Sequence, residues 1–427
     1  MTRWLLPLAG AALMAAFGAL YYLAPDAYWL ILTGWGIDPF RFPFLDAHAV
    51  VAAIECKRLG YDVYVANPCD VLTRAHVYSP IFLEAAAFPI SVDDRPAFGI
   101  ALALGFFLAF ASLPLPRDRF GWRMTGLAFF STMVIFAIER GNNDLMIFVM
   151  VAAIGHLLVR SWRARWLAYA LILAAGLLKY YPLTLLIVAL REKPRAFIAV
   201  VVATMIAVAL FIVHYRAELA LGVDLVPTGS YFTDFFGAVN LPRGMTKLLS
   251  PLVDFYPPAA PVFVALPWVI LAALLATTAQ RLVAIAAQPA TGEKLASLSE
   301  LHRLFLVMGA MAIVACFFMA QSIGYRGIFF LMMLPALLLM ERRGLVYMIL
   351  FLMWGELFRE ALQHIKLGDG DVGFAWQAVK TLFWLVREFI WWRVIASLGA
   401  ILVTYAIQSE IGGALLARFV PLRRAVR

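Results

Sequence analysis

Residues 166–190 read WLAYALILAAGLLKYYPLTLLIVAL, two apolar runs that meet at the tetrapeptide Lys179-Tyr180-Tyr181-Pro182. A helix needs about 20 apolar residues to cross the ~30 Å hydrocarbon core of a bilayer, and neither run is that long. The two runs therefore predict a broken or re-entrant helix pair whose turn lies at membrane depth. Irregular backbone at that depth is tolerated only where it is buried in protein or lines a wet cavity. This turn is therefore a candidate functional element.

The rest of the chain has the same apolar character. Of its 427 residues, 64% are hydrophobic and 14% are charged, whereas soluble domains carry roughly 45–50% apolar and about 25% charged residues. We therefore predict one all-α, polytopic membrane domain over residues 1–427. The net charge is +9, but the basic residues lie in short clusters between apolar runs. That pattern reflects membrane topology and excludes nucleic-acid binding.

The apolar runs predict about 11–12 transmembrane or re-entrant helices. Residues 4–23 are interpreted as a retained first span, because they run into Tyr21 and Tyr22 and lack a clear signal-peptide cleavage site. The predicted spans are 4–23, 97–115, 121–138, 145–159, 166–179, 182–190, 196–214, 259–280, 304–320, 327–340, 345–358 and 385–407.

The distribution of charge predicts the orientation of these spans. Seven segments on one side (the N-terminus, 116–123, 160–165, 191–195, 281–303, 341–343 and 409–427) hold 19 Lys and Arg against 6 Asp and Glu. The positive-inside rule makes that side cytoplasmic and places both termini there. The extracytoplasmic face then carries the first large loop, 24–96, the second large loop, 215–258, the short turns 139–144 and 321–326, and the segment 359–384. We therefore expect the site on that face of a bacterial inner membrane.

Asp46 is the first candidate catalytic residue, because apolar neighbours surround it in the sequence Phe-Pro-Phe-Leu-Asp-Ala-His. Such surroundings raise the pKa of a carboxylate and suit it to accept a proton. The alternative interpretation is a cap for the helix predicted from Ala47 to Leu59. The two roles are compatible.

The turn Glu139-Arg140-Gly141-Asn142-Asn143-Asp144 is the second candidate region. Arg140 can hold an anion, while Asn142, Asn143 and Asp144 can bind sugar or acceptor hydroxyls through forked hydrogen bonds. The alternative is a tight Asn/Gly turn in which Glu139 neutralises Arg140.

Two further cations are candidate phosphate ligands. Lys179 lies between apolar half-helices, where a lysine is costly unless it is paired, faces a cavity or reaches the interface. Arg326 lies in an outer turn with Gln321 and Tyr325. It is either a phosphate ligand or an arginine at the membrane interface. The loop residues Asn240, Arg243 and His364 are weaker candidates for binding sugar or acceptor.

The three cysteines indicate no metal site, because no CxxC or His/Cys cluster is present. Cys56 and Cys69 lie in the same extracytoplasmic loop, where an oxidising compartment would allow a disulfide. Cys316 lies inside a predicted span as a small core residue.

The ordered motifs of this sequence resemble those of glycosyltransferase family 87, in the GT-C superfamily. The motifs are Asp46, Gly60-Tyr61-Asp62-Val63-Tyr64, Val77-Tyr78-Ser79-Pro80, Gly141-Asn142-Asn143-Asp144 and Lys179-Tyr180-Tyr181-Pro182. They cover residues 40–182, with weaker matches at Asn240 and at Tyr325-Arg326. Val63 stands where the family often has proline, and Asn142 stands where glutamine is common.

The resemblance implies a GT-C-like fold and a transferase that uses a polyprenyl-phosphate sugar, typically mannose, as donor. Asp46 matches the position of the family's catalytic base, and Tyr180 and Tyr181 belong to a matching motif near the sugar or acceptor. The expected acceptor is a glycolipid or an envelope glycan, and no cofactor or metal is expected. A polytopic transporter or flippase for lipid-linked sugars is the alternative, with Lys179 as its substrate or proton site.

Overall fold

The computed structural model describes residues 2–225, 229–364 and 371–419, which are mostly α-helical. The α-helices are α1 (Leu5–Leu23), α2 (Pro25–Gly34), α3 (Leu45–Arg58), α4 (Arg95–Ser112), α5 (Arg119–Phe129), α6 (Thr132–Arg140), α7 (Asp144–Leu158), α8 (Trp162–Lys179), α9 (Pro194–His214), α10 (Arg216–Asp224), α11 (Asn240–Phe255), α12 (Ala260–Ala286), α13 (Pro289–Ser297), α14 (Glu300–Met319), α15 (Phe330–Leu339), α16 (Arg343–Met353), α17 (Gly355–His364), α18 (Asp371–Gln408) and α19 (Glu410–Phe419).

Short 3₁₀ helices and one small sheet complete the fold. The 3₁₀ helices are Thr2–Trp4, Pro80–Ala87, Val92–Asp94, Tyr181–Arg191, Pro257–Ala259 and Gly324–Phe329. Strands β1 (Phe235–Phe236) and β2 (Ser322–Ile323) pair antiparallel, with Phe235 opposite Ile323 and Phe236 opposite Ser322. This sheet ties the second large loop to the turn that carries Arg326.

The prediction of an all-α polytopic membrane protein is confirmed at this level. Among the described residues, six helical stretches are long and apolar enough to cross a bilayer, in α1, α4, α9, α12, α14 and α18. A seventh span results if α5 and α6 are counted together, although they bend by 44° at their junction. Four shorter apolar helical stretches are Asp144–Leu158, Tyr181–Arg191, Gly324–Leu339 and Arg343–Met353.

Several predicted spans differ from the observed helices. The single span predicted at 121–138 is two helices, because the chain breaks between Phe129 and Thr132. The span predicted at 345–358 divides into α16 and α17 at Trp354. The break predicted between 166–179 and 182–190 is present, with Tyr180 at φ 60° between α8 and the following 3₁₀ helix. In each case the apolar pattern continues across a change in backbone direction, so composition alone does not reveal it.

Local sequence explains where many helices begin. Asp118 Oδ1 accepts a hydrogen bond of 2.7 Å from Gly121 N, and so satisfies one free amide at the start of α5. Proline occupies the first turn of α2, α4 and α9, where its missing amide hydrogen carries no penalty.

The core is built from large apolar side chains of α7, α14, α15 and α18. Phe148, Phe305, Phe330 and Trp391 are all buried in one continuous cluster. Phe236 of β1 stacks on Trp391 with the ring centroids 4.2 Å apart, so the small sheet is anchored directly on α18. The rigid core therefore fixes the ends of the segments from which the candidate site is assembled.

Candidate functional site

Asp46 is positioned by an unusual backbone at Phe44. Phe44 adopts the left-handed conformation at φ 68°, which is uncommon for a bulky residue, and it directly precedes α3. Its amide donates a 2.7 Å hydrogen bond to the carbonyl of Glu139. Its ring lies over Gly99, where an added Cβ would approach the ring to 2.3 Å. Phe44 is thus held between α4 and the end of α6, and Asp46 follows in the first turn of α3.

The carboxylate of Asp46 does not cap its own helix. Phe44 occupies the capping position, and Asp46 Oδ2 instead accepts a 2.6 Å hydrogen bond from Asn142 Nδ2. The capping alternative is therefore wrong, because the helix begins one residue before Asp46. The side chain is half-buried and faces the α6–α7 turn.

Asn142 connects Asp46 to Lys179. Its Oδ1 accepts hydrogen bonds from the amide of Asp144, at 2.8 Å, and from Lys179 Nζ, at 3.2 Å. The turn is possible because Gly141 is left-handed at φ 57° and any Cβ there would lie 3.1 Å from the Phe44 side chain. The amide side chain is fully buried, so its orientation is fixed by these contacts.

Asp144 holds the two cations of the site. Its carboxylate lies 2.7 Å from Lys179 Nζ and 3.5 Å from Arg326 Nε, and it accepts a 2.8 Å hydrogen bond from Tyr181 OH. Arg326 also donates to Ser322 Oγ. The side chains of Lys179 and Arg326 are 8% and 22% exposed, whereas that of Asp144 is fully buried. These three side chains together carry one net positive charge.

We name these residues the Asp46 network. It consists of Asp46, Asn142, Asp144, Lys179 and Arg326. They come from the start of α3, the α6–α7 turn, the end of α8 and the 3₁₀ helix after β2. Segments separated by up to 280 positions in the sequence therefore converge on one polar centre (46 to 326).

The remaining residues of the two motif turns have different environments. Tyr181 is buried and its hydroxyl donates to Asp144, whereas neighbouring Tyr180 is 38% exposed. Asn143 is fully buried, and neither of its side-chain polar atoms has a hydrogen-bond partner. An unsatisfied buried amide costs about 1–3 kcal/mol. Such a group is a candidate ligand contact in a site that is otherwise well paired.

Arg140 points away from the two other predicted phosphate ligands. Its Nη2 donates to the carbonyl of Asp38 at 3.1 Å, and its Nε lies 3.5 Å from Glu139 Oε2. Glu139 also accepts a 3.2 Å hydrogen bond from Tyr28 OH. The local neutralisation by Glu139, which was the alternative interpretation, is therefore the observed arrangement.

Asn240 and Arg243 do not join the Asp46 network, and the side chain of His364 lies outside the described residues. Asn240 is fully buried and donates a 2.8 Å hydrogen bond to Glu388 of α18. Arg243 is exposed on α11. His364 ends α17.

A second buried ionic cluster, here named the Glu388 network, contains Asn240, Glu356, Arg359, Arg387 and Glu388. Arg387 lies 2.7 Å from Glu356 and 3.2 Å from Glu388, and it donates to the carbonyls of Thr233 and Phe235. Arg359 pairs with Glu356 on the other side. The network fastens the second large loop to α17 and α18. Its sequence signal was the adjacent pair Arg387-Glu388 in an apolar run, which the sequence analysis did not use.

Tyr78 is a further residue near Asp46 that was not among the predicted site residues. Burial raises the pKa of Tyr78, and the neighbouring charge of Asp46 raises it further. Its hydroxyl therefore stays protonated at neutral pH. The only sequence signal was its place in the Val77-Tyr78-Ser79-Pro80 motif.

The first large loop is fixed by covalent and polar contacts. Cys56 and Cys69 are joined by a disulfide, with their Cα atoms 5.7 Å apart. Asp70 pairs with Arg74 at 2.9 Å. His76 is buried, and burial lowers its pKa to about 4. The loop that follows Asp46 is therefore a structured segment and not an open chain.

The remaining possibilities for the site are limited by what surrounds it. Among the described residues, no group of three His, Cys, Asp or Glu side chains has the arrangement of a metal site. No protein-family model, curated protein or solved structure matches this chain.

Proposed function

We propose that this protein is a membrane glycosyltransferase that moves a sugar, with mannose the first candidate, from a polyprenyl-phosphate donor to a glycolipid or envelope-glycan acceptor. The observation that carries the proposal is the Asp46 network, in which one half-buried carboxylate is joined through Asn142 to Lys179, and Lys179 is joined through Asp144 to Arg326. A base next to an anion-binding pair is what transfer from a phosphate leaving group requires.

Asp46 acts as the general base in this mechanism. The acceptor hydroxyl attacks C1 of the sugar, Asp46 takes the hydroxyl proton, and the bond between C1 and the phosphate oxygen breaks. The Asn142 hydrogen bond at 2.6 Å orients the carboxylate for this step. A single displacement inverts the configuration at C1.

Lys179 and Arg326 bind the phosphate group as it leaves. They are the two cations of the network, with side chains 8% and 22% exposed, and with Asp144 they carry one net positive charge. Asp144 is fully buried and contacts both cations and Tyr181, so its role is to hold them in place and not to bind sugar. A lipid phosphate is a good leaving group, so the mechanism needs no general acid.

The membrane arrangement follows from the positive-inside charge distribution. Both termini are cytoplasmic, and the Asp46 network faces the extracytoplasmic side, where a GT-C-like fold carries its loops. The proposed total of about 11–12 spans or re-entrant helices requires that the four shorter apolar helical stretches and α8 also lie in the bilayer.

The test is release of labelled sugar from a panel of polyprenyl-phosphate sugars, using purified protein in native membrane lipid extract. We expect the wild type and Asp93→Asn to release sugar from one donor, and Asp46→Asn to release none. Asp93 is the matched control because it is exposed in the same loop. Equal release by Asp46→Asn would remove Asp46 from catalysis. If no variant releases sugar but the donor lipid moves from one leaflet of a vesicle to the other, the result would favour the flippase alternative.

A further inference from the structure

An apolar groove lies beside the Asp46 network but is separate from it. Its volume is about 350 Å³, and α1, α2, α4 and α6 enclose it together with Pro43 and Phe44. One face of α1 lines it with small or flexible side chains, including Gly10, Met14 and Gly18. The rest of α1 is mostly exposed, as expected for a helix at the lipid boundary.

The two ends of the groove differ in polarity. Gly10 and Leu104 line the apolar end, which lies towards the middle of α1 and α4. Tyr22, Arg95 and Glu139 line the other end, near the helix termini that precede or follow the large loops. From Gly10 to Tyr22 the helix rises about 18 Å. The groove therefore has the length and polarity of one leaflet of lipid.

Two buried polar atoms at the polar end have no hydrogen-bond partner. They are Arg95 Nε, a donor, and Glu139 Oε2, an acceptor. The other oxygen of Glu139 already accepts a hydrogen bond from Tyr28. Arg140 Nε forms an ion pair with this oxygen at 3.5 Å but no hydrogen bond to it, and Glu139 is only 6% exposed to solvent. A ligand that satisfies both atoms needs an acceptor next to a donor.

We propose that this groove binds one phosphoglycerol lipid of the outer leaflet. One acyl chain fills the apolar end, the phosphate accepts from Arg95, and a glycerol hydroxyl donates to Glu139. A neutral hydroxyl fits better than an ammonium group, because Arg140 already lies 3.5 Å from Glu139 Oε2. A choline headgroup offers no hydrogen-bond donor for this oxygen.

The bound lipid contacts the chain that leads into Asp46. Pro43 and Phe44 form part of the groove wall, and Asp46 follows two residues later. An acyl chain against Phe44 supports the left-handed backbone that sets the start of α3. The proposal concerns lipid binding and does not depend on the transferase activity.

Native mass spectrometry of delipidated, detergent-purified full-length protein tests the proposal. Phosphatidylglycerol, phosphatidylethanolamine and phosphatidylcholine are titrated separately, and bound lipids are counted. The blocking variant is Gly18→Leu, since nothing lies within 4 Å of a Cβ added at Gly18 and the new side chain enters the groove. The matched control is Gly344→Leu, which has equal free space on α16 outside the groove.

We expect one tightly bound phosphatidylglycerol in the wild type and in Gly344→Leu, with at least ten-fold weaker binding of the other two lipids. Gly18→Leu should weaken that binding at least ten-fold. Arg95→Gln removes the cation that binds the phosphate, so it should weaken phosphatidylglycerol binding at least ten-fold while leaving the groove open, and it serves if Gly18→Leu does not fold. Equal binding of all three lipids by the wild type would overturn the proposal. Phosphatidylglycerol binding that persists in Gly18→Leu would place the lipid elsewhere and overturn it as well.

Discussion

The Asp46 network and the Glu388 network are both buried ionic clusters, but they differ in access. Arg387 is 5% exposed and lies between two carboxylates and two backbone carbonyls. Arg326 is 22% exposed, and Asp46 is half-buried with a single hydrogen bond from Asn142. Arg359 of the Glu388 network is 18% exposed, so the difference lies in the carboxylates: Asp46 is half-buried and pairs with no cation, whereas Glu356 and Glu388 are buried and pair with arginine.

This difference shows how burial separates a candidate site from a structural clamp of similar composition. A buried ion pair adds little net stability compared with apolar packing, but the loss of one partner is costly. The Glu388 network should therefore respond to mutation through stability. The Asp46 network, with its accessible charges, should respond through binding and turnover.

The largest effect is expected from removal of the proposed base. Asp46→Asn should lower sugar transfer by about 10²–10⁴-fold, because an amide cannot accept the hydroxyl proton. The unfolding midpoint should stay close to that of the wild type and of Asp93→Asn. Initial rates and thermal melting in detergent measure both quantities. A large drop in the melting temperature would mean that Asp46 is a structural residue like those of the Glu388 network.

Arg387→Met should have the largest effect on stability. It leaves Glu356 and Glu388 buried without their shared cation, which costs about 3–5 kcal/mol of unfolding free energy. Denaturant titration in detergent measures this change. Arg163→Met is the control, because Arg163 is exposed on α8 and should leave the free energy unchanged. A loss of donor affinity at unchanged stability would instead make the Glu388 network part of a binding site.

Removal of the disulfide should destabilise the first large loop, which carries Asp46. Cys56 and Cys69 are 13 positions apart, and a closed loop of about that length contributes roughly 3 kcal/mol. The double variant Cys56→Ala/Cys69→Ala should unfold at lower denaturant concentration. Reductant should shift the wild type to the same midpoint and should not shift the double variant. A reductant effect on the double variant would point to another cause.

Lys179→Gln should weaken donor binding, and it should also lower stability because it removes one of the two cations paired with the buried Asp144 carboxylate. The loss of one charge-assisted hydrogen bond to phosphate costs about 1.5–3 kcal/mol, or roughly 10–100-fold in Kd. Binding of labelled donor lipid to protein in nanodiscs measures the change. Lys193→Gln, which alters an exposed lysine before α9, is the control. Unchanged donor affinity in Lys179→Gln would place the phosphate elsewhere.

The smallest expected effect is the pH dependence of stability, because His76 in the first large loop and Asp234 in the second have pKa shifts of opposite sign. Burial lowers the pKa of His76 to about 4, so its contribution to stability is lost as the pH falls from 6.5 towards 4. Burial and the charge of Glu356 raise the pKa of Asp234 to about 6, so its contribution is lost as the pH rises from about 4 to 6. In the wild type the two slopes partly cancel.

Single variants should separate these slopes. Unfolding midpoints between pH 4 and 6.5 should rise more steeply with pH in Asp234→Asn than in the wild type, and less steeply in His76→Gln. Protein with both substitutions should return towards the wild-type slope. Parallel profiles for all four proteins would show that neither group changes its pKa on folding.

The membrane class could be predicted from the sequence, whereas the bounds of several helices could not. Asp46, Asn142, Lys179 and Arg326 were each chosen from local chemistry, and the structure brings them together. Arg140 was predicted as a phosphate ligand, but in the structure its side chain contacts Asp38 and Glu139. A turn sequence fixes which polar residues are available, whereas their direction depends on the neighbouring chain.

The sequence by itself determined that the chain is a helical membrane protein, because 64% hydrophobic composition and long apolar runs leave no other stable arrangement. It also determined the break at Tyr180, because Pro182 and a lysine interrupt the apolar run. Only the tertiary structure decided which charges pair. Asp144 meets Lys179 and Arg326, and Glu388 meets Arg387, through packing of segments distant in the sequence. Ionic contacts depend on distances of a few ångströms, and such distances are set by the packing of the core around them.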